Sequence, residues 1–252
     1  MAGNFVQLHN HTHYSLLDGA SKVPDLVKRV KELGMPAVGI TDHGNMHGAY
    51  ELWRAAVDSG VKPIIGIEAY VTPETARQDK TRVSWDTNWT PVPGHARNPD
   101  DVSGGGLITH LTMWAENDEG LVNLIKASSV ANLEGRVMRY PRMDKEVLST
   151  YSKGVIASSG CPSGIIQTRL RLGQFDEALR AAGEFQDIFG KDNFYIELMD
   201  HGLSIESKVT GDLLTIAKKL GAPLLATNDS HYVMEADKDA QDAMLCINSG
   251  AT

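Results

Sequence analysis

Seven short apolar runs in this chain each stop on residues of metal-ligand type, and that recurrence restricts the fold more than any other feature. They are F-V-Q-L-H-N-H-T-H (His9, His11, His13), A-V-G-I-T-D-H (Asp42, His43), P-I-I-G-I-E (Glu68), G-L-I-T-H (His110), G-V-I-A-S-S-G-C (Cys161), N-F-Y-I-E-L-M-D-H (Glu197, Asp200, His201) and P-L-L-A-T-N-D-S-H (Asp229, His231). Runs of this length read as strands. Ligands on separate strand ends are expected to converge only if the strands lie side by side and point the same way.

Helical spacing follows each run, the alternation of a parallel sheet wrapped by helices. In V-P-D-L-V-K-R-V-K-E-L-G, residues Val23, Leu26, Val27, Val30 and Leu33 share a face, Pro24 sits near the start and Gly34 closes the helix. Further helices are predicted at about Met46 to Ser59, with Leu52, Ala56 and Val57 inward, then Glu119 to Val130, Ser163 to Leu172, Phe175 to Phe189, Ile205 to Leu220 and Ala236 to Ile247. This makes seven β/α units. Strands such as P-I-I-G-I and P-L-L-A-T are apolar on both faces, as burial between a barrel interior and a helix layer requires. An open doubly wound sheet gathers its ligand at one switch point, whereas a barrel collects residues from nearly every strand's C-terminal end. The expectation is therefore an α/β barrel in one domain, residues 1–252. One segment breaks the rhythm: Pro73 to Gly106, with Trp85, Trp89, Pro91, Pro93, Pro99 and Gly104-Gly105-Gly106, reads as a long loop insertion.

A 42% apolar fraction in 252 residues is ample for a large core. No run approaches the roughly 20 apolar residues that cross a bilayer, and no signal-peptide pattern opens the chain, so a cytoplasmic location without membrane contact is expected. The two cysteines are too few for a disulfide framework. Cys161 is a candidate ligand, and Cys246 in D-A-M-L-C-I is expected in the core. A net charge of -8 argues against gripping nucleic acid through a broad basic surface. Bound divalent ions would reverse the sign locally and let an acidic protein hold an anionic substrate at one point.

Side chains two apart on a strand share a face, so His9 and His11 can serve one ion, and Asp229 and His231 can face one pocket. Imidazoles, carboxylates and one thiolate suit Zn²⁺, Mn²⁺ or Fe²⁺ better than Ca²⁺ or Mg²⁺, which prefer all-oxygen shells. A polynuclear centre in an open barrel mouth points to hydrolysis, and a closed, purely structural centre is the alternative. The chain has no G-x-x-x-x-G-K-[ST], no G-x-G-x-x-G after a strand and no G-x-S-x-G elbow. In G-C-P-S-G, Ser163 is a candidate helix cap, while Glu197, Asp200 and His201 are candidates for hydrogen bonding to ligands. His13, His47 and His95 read as solvated.

The strings L-H-N-H-T-H-Y-S-L-L-D-G, G-I-T-D-H-G-N-M, P-I-I-G-I-E-A-Y, T-H-L-T-M-W-A, S-G-C-P-S-G, Y-I-E-L-M-D-H-G and L-A-T-N-D-S-H-Y resemble the PHP (polymerase and histidinol phosphatase) domain of bacterial replicative DNA polymerase III alpha subunits. The resemblance covers essentially the whole chain. It implies a distorted (β/α)7 TIM-like barrel with a trinuclear metal site at the C-terminal ends of the strands. By that resemblance His9, His11, Glu68 and Asp229 hold one ion, Glu68 bridges to a second held by His110 and Cys161, and Asp18, His43 and His231 hold a third. The ions would be three divalent metals, Zn²⁺ and/or Mn²⁺ or Fe²⁺, with Asp18, Glu68 and Asp229 catalytic. The implied activity is a 3′–5′ proofreading exonuclease acting on a single-stranded or mismatched DNA primer end, beside the remaining polymerase domains and other replisome subunits. A metal-stabilised scaffold that docks a separate proofreading subunit is the alternative, and a histidinol-phosphatase-like activity a more distant one. His13 stands where many relatives are expected to be acidic, and polymerase palm, thumb and fingers are absent from these residues.

Overall fold

The computed structural model describes residues 5–86, 88–90, 98, 100 and 105–250. The chain divides into two compact units, Met1–Glu68 with Thr227–Thr252, and Ala69–Ala226.

In the first unit, helix α1 (Val23–Glu32) buries Val23, Leu26, Val27 and Val30, as the spacing predicts. Leu33 is instead the C-cap and 43% exposed, because it lies past the helix end where the stripe stops. Strand β1 (Ala37–Ile40) is buried throughout and pairs in parallel with Lys62–Ile65 of β2 (Lys62–Val71). Helix α2 (Ala49–Ser59) turns Leu52 and Ala56 inward. Val57, expected beside them, is exposed, since one residue beyond Ala56 is a 100° turn away. These side chains, with Val38 and Ile40, form one core cluster. A 3-10 turn (Glu235–Asp237) leads into α8 (Lys238–Ser249), whose buried residue is Gln241; Cys246 is half-buried and not a core residue.

The run F-V-Q-L-H is not a strand of its own. Its backbone makes isolated parallel bridges, Gln7 to Val38 on one side and Asn10 to Ser230 on the other. The His11 N–H donates to Ser230 O at 2.8 Å and the Ser230 N–H to His9 O at 3.1 Å. This approach needs Gly39, because a Cβ there would lie 2.5 Å from Leu8 O. Gly39→Ala is expected to cost about 1–3 kcal/mol in urea unfolding, as overpacking against backbone does. Gly211→Ala, inside helix α7 (Ser204–Leu220) with nothing within 4 Å of the new methyl, is expected to stabilise by about 1 kcal/mol.

In the second unit the strand order is β4 (Arg136–Val137), β5 (Tyr140–Met143), β2 through its last residues, β3 (Thr109–Ala115), β6 (Val155–Ser158), β7 (Phe194–Leu198) and β8 (Leu224–Ala226). Helices α3 (Asp118–Glu134), α4 (Lys145–Thr150), α5 (Ile165–Arg171), α6 (Phe175–Phe189) and α7 alternate with them. The α/β character holds, and α6 spans the expected residues. The distortion is specific: the order runs from β4 to β8 without closing among the described residues, and β3–β6 and β4–β5 are antiparallel. The expected uniform strand direction is therefore not met. Because β3 runs against β6, His110 near its start, rather than a residue at its end, lies beside the segment that follows β6. Glu68 likewise sits inside β2, not at its end, since Tyr70 and Val71 go on to pair with Arg142 and Met143. Leu224 and Ala226 of β8, expected to be buried on both faces, are exposed; among the described residues β8 ends the order, beside β7.

No helix or strand occurs among the described residues between Val71 and Thr109. The segment is nonetheless anchored: the Arg169 guanidinium lies 4.1 Å over the Trp85 ring, and the Gln174 amide donates to Trp85 O at 2.8 Å. Pro91, Pro93, His95, Pro99 and Gly104 lie outside the described residues.

Candidate metal centre

Seven of the nine candidate ligands lie in the first unit: His9, His11, Asp18, His43, Glu68, Asp229 and His231. The backbone bridges that hold Asn10 between its neighbours turn His9 and His11, on either side of it, to the same recess, where both are fully buried. His9 Nε2 lies 3.2 Å from Asp229 Oδ1 and 3.4 Å from Glu68 Oε1. His11 Nε2 lies 3.1 Å from the same Asp229 oxygen and 3.5 Å from Glu68 Oε2. A tetrahedral ion with bonds of about 2.1 Å separates its ligand atoms by roughly 3.4 Å, so His9, His11 and Asp229 are spaced as ligands of one ion would be, with the two Glu68 oxygens beside the two rings. His11 Nε2 and Asp229 Oδ1 are also buried without a hydrogen bond of acceptable geometry. Two such groups aimed at each other fit a cation between them. Asp229 has φ +45°, a left-handed conformation that aspartate tolerates and most residues avoid.

Beside this recess, His43 Nε2 is 2.6 Å from Asp18 Oδ2, and its Nδ1 is 2.6 Å from Glu68 Oε2. His231 donates Nδ1–H to its near neighbour Asp229 O at 2.8 Å and turns Nε2 to Asp18 Oδ2 at 3.5 Å. The ligand atoms of His11, His43 and His231 fall within 4.8 Å of one another, as do those of His9, His11 and Asp229. Asp18 follows Leu17, itself at φ +63°, and its carbonyl accepts from the Gln241 amide of α8.

Asp42, a ligand type by its sequence position, faces elsewhere. Its carboxylate accepts from the Thr12 N–H at 2.7 Å, the Thr12 hydroxyl at 2.9 Å and the Ser15 hydroxyl at 2.8 Å. Thr12 and Ser15 are not signalled by the sequence, because hydroxyls carry no ligand signature.

The electrostatics follow from burial and partners. Burial, with His43 nearby, pulls His11 down to about 3. Burial acts to lower His43 as well, but the Glu68 and Asp18 carboxylates outweigh it and push it up to about 10. His231 is raised by Asp18 and Asp229 against its burial, and burial alone would raise Asp18, yet the His231 and His43 hydrogen bonds hold it well below the usual carboxylate range. Linkage fixes the sign of each contribution. The raised His43 contributes stability that is whole below its unfolded value of 6.5 and lost as pH rises through about 10. The lowered His11 costs stability as pH falls from 6.5 towards about 3. The metal-free protein is therefore expected to be most stable near pH 6.5, with stability declining on both sides in a urea-midpoint series.

In the second unit, Cys161 Sγ lies 3.4 Å from His110 Nδ1. The turn after β6 presents the thiol: Gly160 takes φ +78°, the Gly164 N–H donates to Cys161 O, and the His110 N–H donates to Ser163 O at 3.0 Å. Ser163 does not cap α5; Gly164 stands at that position without a side-chain bond. Glu197 is buried in β7, accepting from the Ser158 hydroxyl, so it braces the strand that leads to Cys161. His201 is committed to Glu206 at the start of α7, through Nδ1 at 2.6 Å and its backbone N–H at 2.8 Å. Asp200 is exposed and accepts from the Gly202 N–H. His47 is exposed, and His13 is half-exposed with Nε2 3.8 Å from Glu51.

A mixed α/β fold carrying a histidine and carboxylate cluster defines the class, and the PHP domain family matches residues 7–201, so the chain belongs to that family. It is similar to the DNA polymerase III subunit alpha of Mycobacterium leprae (strain TN), 51% identical over 249 residues, which cover 99% of this chain and 20% of that protein. The corresponding subunit of Saccharopolyspora erythraea is 53% identical over 248 residues, covering 98% and 21%. The chain thus spans about a fifth of the length of these curated relatives. An amidohydrolase structure from Chromobacterium violaceum matches in fold, with TM-score 0.52 and 14% identity over 96% of this chain and 97% of that one. No helix among the described residues is long and apolar enough to cross a membrane.

Proposed function

We propose that this chain is the metal-dependent phosphodiesterase part of a bacterial replicative DNA polymerase III alpha subunit, acting as a 3′–5′ exonuclease that removes mismatched nucleotides from a primer end. The observation that carries the reading is the buried meeting of His9, His11, Glu68 and Asp229 at 3.1–3.5 Å. The similarity to polymerase III alpha subunits supports the choice of DNA as substrate, of the remaining polymerase domains and replisome subunits as partners, and of the cytoplasm as location.

In this reading His9, His11, Glu68 and Asp229 hold one ion, and Asp18, His43 and His231 hold another. His110 and Cys161 are the donors for the remaining ion. The ions are Zn²⁺, Mn²⁺ or Fe²⁺, three in all. They would supply Lewis-acid activation of water and of the phosphoryl group. The chain's own part is to hold the His9 and His11 rings aimed into the recess and to keep the Asp18 and Asp229 carboxylates ionised at neutral pH, as their lowered affinity for protons favours. Residues 1–252 act as one domain, with the 73–106 segment as an insertion in it.

The test is elemental analysis of the purified protein together with cleavage of a 3′-mismatched primer, before and after chelation. Metal-dependent release of the mismatched nucleotide is expected. Metal bound without cleavage would leave the scaffold reading in its place. Cys161→Ala is expected to lower the metal count by about one ion per chain, since a thiolate ligand is lost. An unchanged count would remove Cys161 from the ligand set.

A further inference from the structure

The hydroxyl of Ser15 sits at a junction of three groups. It lies 2.8 Å from Asp42 Oδ1, 2.9 Å from His11 Nδ1 and 3.1 Å from the His43 backbone nitrogen. A serine hydroxyl has one hydrogen to give and two lone pairs to receive. An ionised carboxylate only accepts. Asp42 Oδ1, the oxygen that faces Ser15, already accepts the Thr12 N–H, so it carries no hydrogen of its own and the single Ser15 proton goes to it. A backbone N–H can only donate, so His43 N–H fills one Ser15 lone pair. One lone pair remains, and it faces His11 Nδ1.

We propose that Ser15, oriented by Asp42, is the positioning residue that fixes His11 in the tautomer with its hydrogen on Nδ1, leaving Nε2 bare for a metal ion. All three groups are buried, which removes water as an alternative partner. The inference fits the geometry of the recess, where His11 Nε2 and Asp229 Oδ1 lie 3.1 Å apart, both buried and neither in a hydrogen bond of acceptable geometry: each turns a lone pair to the position a cation would take. Ser15 also ties the two halves of the cluster together. The same oxygen that sets the His11 ring receives the backbone of His43, whose side chain bridges Asp18 and Glu68. Through one hydroxyl, Asp42 orients a ring it never touches. Hydrogen-bond partners of metal-binding histidines act this way elsewhere, and losing one costs about 10–100-fold in metal affinity.

The inference rests on the metal-binding half of the proposed function and not on its nuclease half. Its experiment needs no turnover. Imidazole ¹⁵N–¹H correlation spectra of the metal-free protein at pH 7.5, with His11 assigned by substitution, read the tautomer directly. The Nδ1–H form is expected, and an Nε2–H form overturns the proposal. In Ser15→Ala the His11 tautomer is expected to become mixed and Zn²⁺ affinity, measured by competition with a chromophoric chelator, to fall about 10–100-fold. A variant that keeps the pure Nδ1–H form also overturns it, since another group must then set the ring. Ser15→Cys, close in volume and a poor acceptor, serves if Ser15→Ala does not fold. Asp42→Asn, which can keep an oxygen toward Thr12 N–H and Ser15, is expected to retain the tautomer. Loss of mismatch cleavage in the wild-type protein, with the tautomer as expected, would count against the exonuclease reading alone.

Discussion

Asp229→Asn is expected to abolish metal-dependent mismatch cleavage, by more than about 100-fold, while leaving the metal-free protein folded and only modestly less stable, since the carboxylate is favoured there by its histidine neighbours. The size follows from comparison: partners that only orient a ligand cost about 10–100-fold, and Asp229 would be a ligand itself. The stability follows from the geometry of the recess. Asp229 Oδ1 lies 3.1 Å from His11 Nε2 and 3.2 Å from His9 Nε2, so in the absence of metal the carboxylate faces two imidazole edges. Asparagine has the same shape, accepts the φ of +45° as readily, and can turn an N–H to one of the rings. The measurement is a pair of melting curves with and without Zn²⁺. Wild-type protein gains stability with metal, by about 2.7 kcal/mol at a hundredfold excess over Kd, and the variant should gain far less from the same addition. A variant that melts much lower without metal and keeps its metal-induced gain would show a structural Asp229.

That contrast between stability and binding bears on what the sequence could reveal. The alternation His9-x-His11 was legible because two side chains with one residue between them share a side of an extended backbone, whether or not the segment belongs to a sheet. The bridges at Gln7 and Asn10 bear this out without a regular strand. Asp18 was reachable only by resemblance, for no apolar run ends on it and its loop is set by the strained Leu17 and by Gln241, 223 residues away. The direction of β3 was not legible either. Five residues, G-L-I-T-H, carry a burial pattern but no polarity, and pairing with β6 decides it. The hairpin of β4 and β5 went unseen because its turn uses Met138 at φ +56°, where glycine or asparagine would have marked it. The Ser15 junction was invisible for a different reason. Its meaning lies in hydrogen-bond partners 27 residues apart in sequence, and a serine in a loop is by itself unremarkable.

Arg142→Met is expected to destabilise the second unit by about 4 kcal/mol, the largest stability effect of any substitution proposed for it. Arg142 is fully buried on β5 and spends its guanidinium on backbone carbonyls: Nε to Gly135 at 3.3 Å, Nη1 to Leu107 at 3.3 Å, and Nη2 to Arg77 at 2.6 Å and Asp79 at 2.7 Å. Leucine or methionine there would fill the space but leave buried acceptors without donors, each costing about 1–3 kcal/mol where water cannot enter. Partial entry of water keeps the sum below the full total. Arg142→Lys should recover only part of the loss, because one ammonium cannot reach carbonyls spread around a planar fork. Three of these acceptors belong to residues 77, 79 and 107, so the arginine clasps the irregular segment between β2 and β3 near both of its ends. Neighbouring ion pairs reinforce the clasp, Arg77 with Glu134, Asp144 and Glu146, and Glu74 with Arg169 and Arg180. All of these pairs are more exposed than Arg142, and those with an open carboxylate, Glu134 and Glu146, are individually weak. Limited proteolysis separates the two contributions: Arg142→Met should open cleavage around residues 77–86 at protease levels that leave wild type intact, whereas Arg77→Met should not. Equal susceptibility of the two variants would mean that the surface pairs, and not the buried guanidinium, hold the segment down.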